Sequence, residues 1–132
     1  MNACFADTSY FIALVSPDDE AHAEAARYTA DFDGVMVTTE WVLNEFANFL
    51  TRPPNRQLFL AMLADLRADP RVLIVKTTDA TFEDGIALYG ERLDKEWSVT
   101  DCISFIVMER EGITDALTKD HHFEQAGFRR LL

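Results

Sequence analysis

One stretch near the start of the chain constrains the fold more than any other. A short, mostly apolar run reaches Asp7, two hydroxyl residues follow (Thr8 and Ser9), and apolar residues then resume through Tyr10, Phe11, Ile12, Ala13 and Leu14. A run without polar alternation suits a strand covered on both faces, as in a parallel sheet. An aspartate and hydroxyl residues ahead of a fresh apolar run mark a strand handing over to a helix. Asp7 is therefore expected at the carboxyl end of a central strand, and in open α/β sheets that edge is where ligands bind.

The remaining chain repeats the alternation. Pro17-Asp18-Asp19-Glu20 closes the first helix and opens a second that ends near Phe32-Asp33-Gly34. Val35-Met36-Val37 is a β-rich run, Thr38-Thr39 supplies a cap, and a helix from Glu40 to about Arg52 stops at Pro53-Pro54. Leu58, Phe59, Met62, Leu63 and Leu66 give Asn55 to Ala68 a helical period and a core-facing reading. Val72 to Val75 is a strand, and Asp79 to Leu93 a helix. After Ser98-Val99-Thr100-Asp101 comes an apolar helix from Cys102 to Met108, ended by Gly112. Ala116 to Thr118 and Phe128 to Leu132 read as strands around a short helix, His121 to Ala126. Strands alternating with helices over short connections predict an α/β fold with a parallel sheet. Residues 1–132 are expected to form one domain.

Charge narrows the function classes. The net charge is −11, whereas a protein that binds nucleic acid by neutralising phosphates is usually basic. Contact with nucleic acid would have to run through metal ions, a local basic strip or a second subunit. No apolar run approaches the ~20 residues of a membrane span, and the start lacks a basic, cleavable leader, so no membrane role and a cytoplasmic location are expected. Cys4 and Cys102 sit in apolar segments without CxxC spacing and read as buried thiols.

Four acids are candidates for the chemistry, and each has a structural alternative. Asp7 and Asp120 can cap the helices that follow them. Asp101 stands three residues after Ser98, the spacing of a capping box. Glu45 falls between Trp41 and Phe49 on a helical wheel, at the margin of an apolar face, with no lysine or arginine at i±3 or i±4. Taken together, Asp7 and Asp120 follow strands that can lie side by side, and the other two lie within reach of the same edge. Clustered carboxylates without a cation repel one another. Mg²⁺ or Mn²⁺ relieves that, being a hard ion that prefers carboxylate oxygens. Thr8, Ser9, Thr100 and Thr118 stand beside these acids, either as hydrogen-bond donors to them or as caps and turn residues.

Four blocks carry a family resemblance. They are Asp7-Thr8-Ser9, the stretch from Thr38 to Glu45, the stretch from Ser98 to Phe105, and the stretch from Leu117 to Phe128. In this order the chain resembles the PIN-domain family, and most of all the VapC toxins of bacterial toxin–antitoxin pairs. The resemblance implies a single PIN domain, a three-layer α/β/α sandwich around a five-stranded parallel sheet. It implies an Mg²⁺- or Mn²⁺-dependent endoribonuclease, a homodimer, an RNA substrate and a small VapB-like antitoxin. Asp7, Glu45, Asp101 and Asp120 are the positions it implies for a metal-binding catalytic site, with cleavage leaving a 5′-phosphate and a 3′-hydroxyl.

Other residues stay open. Arg52 and Arg56 flank the Pro-Pro turn and Arg129-Arg130 lies near the end; these either guide RNA phosphates or are solvated surface charge. His121 and His122 offer a base for metal-free cleavage through the 2′-hydroxyl, or are residues of a turn. Competing functions are a PIN-domain nuclease of RNA maturation without an antitoxin, a non-catalytic PIN-like scaffold, and a phosphohydrolase. The last wants a second aspartate where Ser9 stands. A dinucleotide fold is excluded, because no GxGxxG follows the first strand.

Overall fold

The computed structural model describes residues 2–132; Met1, the first residue of the opening run, lies outside them. The elements in chain order are β1 (Ala3–Ala6), α1 (Thr8–Val15), α2 (His22–Asp31), β2 (Val35–Thr39), α3 (Glu40–Phe49) and α4 (Asn55–Ala68), followed by β3 (Val72–Val75), α5 (Asp79–Glu91), α6 (Val99–Glu111), β4 (Asp115–Leu117), α7 (His121–Gln125) and β5 (Arg129–Arg130). The strands form one parallel sheet in the order β3-β2-β1-β4-β5, flanked by the seven helices in the expected α/β/α arrangement. The chain builds outward from β1 in one direction as far as β3, then crosses back to place β4 on the other side of β1. The strand order thus reverses between β1 and β4, and such a switch point opens a crevice at the carboxyl edge.

The core explains why that crevice is rigid. Cys4, Phe5 and Ala6 of β1 are all at most 1% exposed, which accounts for a strand with no polar alternation. Phe123 of α7, fully buried, has its ring centroid 6.3 Å from Phe5 and 4.9 Å from Phe105 of α6. Five residues are too few for a helix to stand alone, so this aromatic anchor holds α7, and with it Asp120 and His122, against the sheet. α6 is buried along most of its length, from Asp101 through Phe105 to Met108. Gly112, with φ of 68°, ends it in a left-handed cap that glycine adopts without Cβ strain. Both cysteines are buried and free, and burial pushes the Cys4 thiol up to about 12. No helix among the described residues is long and apolar enough to cross a membrane.

Three expectations are corrected. α3 ends at Phe49, ahead of Arg52, and Phe49 is exposed. α4 contributes no buried residue: Leu58 is exposed, and Phe59, Met62, Leu63 and Leu66 are only half-buried. α4 leads into the outermost strand, so it packs on one side only, with Phe59 lying edge-on to Phe46 at 5.7 Å. α6 starts at Val99, because Ser98 and Asp101 close a reciprocal capping box there. A Cβ added at Gly85 of α5 would lie 2.4 Å from Cγ1 of the fully buried Ile103 in α6. Gly85→Ala is therefore expected to destabilise the protein by about 1–3 kcal/mol despite alanine's better helix propensity. Equilibrium urea unfolding measures this, and a more stable variant would refute the packing.

Candidate active site

Sheet register creates the site. Phe5 pairs with Ala116 and Ala6 with Leu117, and the Asp7 amide donates to the Leu117 carbonyl at 3.1 Å. Asp7 therefore stands opposite Thr118 as the two strands end. Asp7 occupies the N-cap position of α1 in an extended conformation, but its side chain makes no cap. The first turn begins instead from its backbone carbonyl, which accepts the Tyr10 amide at 3.1 Å. The carboxylate is left for other partners: Oδ2 accepts from the Thr118 hydroxyl at 2.8 Å and from Ser9 at 3.3 Å. Thr118, having spent its proton on Asp7, accepts the Asp120 amide at 3.0 Å. One buried hydroxyl thus fixes both strand-end aspartates.

Asp101 and Asp120 do what the structural reading expects, and more. Asp101 accepts the Ser98 amide at 3.1 Å within the capping box, and Asp120 caps α7 by accepting the His122 amide at 2.9 Å. Both caps turn their carboxylates toward the half-buried His122, whose Nδ1 lies 3.1 Å from Asp101 Oδ2 and 3.2 Å from Asp120 Oδ2. Glu45 joins from α3, where its carboxylate accepts the Thr8 hydroxyl at 2.5 Å. The apolar-margin argument for Glu45 is corrected: the residue is exposed. Its flank of α3, beside the exposed Phe49 and half-buried Trp41, is left uncovered, so desolvation does not single it out.

Electrostatics ties the four acids together. Asp7 is 5% exposed, and burial first, then the Asp101 and Glu45 charges, push its carboxyl up to about 6 against the lowering effect of the Thr118 hydrogen bond. Burial also raises Asp101, helped by Asp120 and opposed by the Ser98 amide and His122. Among the described residues no lysine or arginine lies within 4 Å of any of the four carboxylates; only His121 and His122 do. These carboxylates are held against their mutual repulsion by packing and hydroxyl donors, and they offer the oxygen donors that hard divalent cations prefer.

The flanking residues divide. Thr8, Ser9 and Thr118 donate toward the acids, whereas the Thr100 hydroxyl reaches none of them. Arg52 and Arg56 follow the far end of α3, a helix about 15 Å long, and Arg56 is turned to the Thr51 carbonyl at 2.7 Å. His122 is the residue the sequence reading undervalued, as part of a turn. Its signal was an Asp-x-His pattern at a helix start, where the second residue can fold back on the cap. Thr118→Val, which leaves the half-buried Asp120 amide and the buried Asp7 carboxylate without this hydroxyl, is expected to cost about 1–3 kcal/mol. It should also raise the Asp7 carboxyl further, a change NMR titration of the metal-free protein would read. An unshifted Asp7 would contradict the hydrogen-bonded chain described here.

The structure is thus a parallel α/β domain with Asp7 and Asp120 at the carboxyl ends of neighbouring strands. The chain belongs to the PIN-domain family, whose profile, described as PIN domain, matches residues 4–129. It is 32% identical over 124 residues to the 23S rRNA-specific endonuclease VapC20 of Mycobacterium tuberculosis, with 94% of each chain covered. The crystal structure of that VapC20, described as a sarcin-ricin loop cleaving toxin, superposes with a TM-score of 0.85 at 30% identity over 95% of both chains. Two more distant structures share the fold: FitAcB from Neisseria gonorrhoeae and VapBC2 from Rickettsia felis bound to a DNA fragment from their promoter. FitAcB gives a TM-score of 0.66 at 13% identity over 98% of this chain and 96% of that one. VapBC2 gives 0.69 at 11% identity over 98% and 97%.

Proposed function

We propose that this protein is a metal-dependent endoribonuclease toxin of the VapC type, hydrolysing RNA phosphodiester bonds at Asp7, Glu45, Asp101 and Asp120. The observation that carries the reading is the buried Asp7 at the switch point, electrostatically joined to Glu45 and Asp101 with no lysine or arginine on any of the four acids. The likeness to VapC20 supports RNA as the substrate class and makes large-subunit ribosomal RNA the first substrate to try.

The donor set fits Mg²⁺ or Mn²⁺, which Asp7, Asp101, Asp120 and Glu45 would hold. Such an ion supplies an activated water and offsets charge developing on the phosphate oxygens. The chain's own part is positioning. Ser9 and Thr118 both bond Oδ2 of Asp7, which sets the plane of that carboxylate. The two helix caps set Asp101 and Asp120, and the buried rings of Phe5, Phe105 and Phe123 pack together and fix α7 against the sheet. Glu45, exposed and steadied by Thr8, stands on the solvent side, where a carboxylate can orient an incoming water.

The whole chain is proposed to act as this one PIN domain, in the cytoplasm. Description of VapC20 as a toxin supports a small VapB-like antitoxin as partner. Exposed Phe82, Ile86 and Tyr89 along α5 support pairing of two copies. Incubation with ribosomal RNA and Mn²⁺, followed by end-group analysis, tests the function. Fragments with 5′-phosphate and 3′-hydroxyl ends that vanish with EDTA are expected. Cleavage that persists in EDTA, or that leaves 2′,3′-cyclic phosphates, would replace this mechanism with a histidine-based one.

A further inference from the structure

His121 and His122 add two nitrogen donors to one side of the acid group, and no step of the proposed hydrolysis uses them. Consecutive residues on a helix point about 100° apart, yet both rings turn back to the cap residue, with centroids 4.6 Å apart. His121 Nδ1 is 3.7 Å from Asp120 Oδ1, while His122 Nδ1 is 3.2 Å from Asp120 Oδ2 and 3.1 Å from Asp101 Oδ2. One donor atom from each of Asp120, His121 and His122 falls within 4.8 Å of the others. In a tetrahedral zinc site with bonds near 2.0–2.1 Å, neighbouring ligand atoms lie about 3.3 Å apart. The observed separations bracket that spacing.

Hydrogen bonding leaves the Asp120 side of this ring without a proton of its own. Ionised carboxylates only accept, so the one Nδ1 proton of His122 faces two acceptors 3.1 and 3.2 Å away and satisfies Asp101 alone in good geometry. A cation bound by Asp120 and the two rings would replace that proton and satisfy Asp120.

We propose that Asp120, His121 and His122 form a second, mixed nitrogen–oxygen metal site, selective for Zn²⁺-class ions over Mg²⁺ and Mn²⁺. Imidazole suits zinc, whereas all-oxygen sites suit the harder ions, and zinc stands above manganese in affinity for such donors. The site borrows Asp120 from the catalytic group, so zinc inhibits the nuclease by withdrawing one of its four acids. This consequence rests on the proposed nuclease function; the binding itself does not.

Isothermal titration of the metal-free protein with Zn²⁺, then with Mn²⁺, tests the site in wild type, His121→Ala and His122→Ala. His121 is exposed, so its removal leaves the fold intact, which circular dichroism checks. One equivalent of Zn²⁺ is expected, weakened about tenfold or more by either substitution. Mn²⁺ affinity should stay within about twofold in His121→Ala, because that ion does not need the nitrogen. Zn²⁺ affinity equal in wild type and both variants would overturn the proposal, as would no Zn²⁺ uptake. Histidine-dependent Zn²⁺ binding by a protein that cuts no RNA would leave the site standing and remove the nuclease reading. Mn²⁺-driven cleavage with histidine-independent Zn²⁺ binding would do the reverse.

Discussion

Asp7→Asn is expected to abolish divalent-dependent RNA cleavage and, in the same molecule, to stabilise the metal-free protein at neutral pH. The two effects have one cause, a carboxylate held where water cannot reach it. Folded Asp7 has its carboxyl pushed up to about 6, with burial as the leading cause, whereas an unfolded aspartate titrates near 3.9. Between those values the folded protein keeps a proton that the unfolded chain has released. Stability therefore falls as pH rises through this window, and the loss is complete above the folded value. A shift of about two units corresponds to about 3 kcal/mol. Asparagine has the same shape, keeps an acceptor for the Thr118 hydroxyl and carries no charge, so it escapes this loss. Urea unfolding in EDTA should show the variant more stable than wild type by about 2–3 kcal/mol at pH 7.5, with the gap closing toward pH 4. A variant that is less stable at pH 7.5 would show that Asp7 is not the strained group, and unchanged cleavage would remove it from the site.

Adding Mg²⁺ or Mn²⁺ is expected to reverse the same strain. An ion bound by the native state alone stabilises it by about 2.7 kcal/mol at a hundred times its Kd, which for a chain of this size raises Tm on the order of 10 °C. The shift should shrink below pH 6, where a proton on Asp7 competes with the metal. It should be lost in Asp7→Asn and kept in Gly85→Ala, whose defect lies in helix packing away from the acids. Thermal unfolding with and without millimolar metal at pH 5 and 7.5 measures it. An equal shift in wild type and Asp7→Asn would place the ion elsewhere on an acidic surface.

Legibility in the sequence followed the range of the interaction that placed each residue. Asp7, Asp101 and Asp120 were readable because each sits at a local boundary, a strand end or helix start, that residue types within a few positions announce. The capping box at Ser98 and Asp101 is the clearest case, since both partners lie inside one turn. Glu45 was reached by a wheel argument that misjudged its exposure, and by the resemblance that followed. A wheel ranks the flanks of a helix by polarity but does not say which flank a neighbour covers. The same blindness made α4 look like core, although it borders the sheet's outer strand and buries nothing completely. Among the hydroxyls, Thr118 and Thr100 looked alike in sequence, and only strand pairing separates them.

By itself the sequence determined the order of strands and helices, the caps between them, and hence which acids stand at strand ends and helix starts. Those are consequences of backbone preference and apolar period, which act over a few residues. Only the tertiary structure decided that β4 lies beside β1, so that Thr118 donates to an aspartate 111 residues away and His122 comes between two carboxylates from different helices. Strand order is chosen by the packing of the whole sheet, and no local period encodes it.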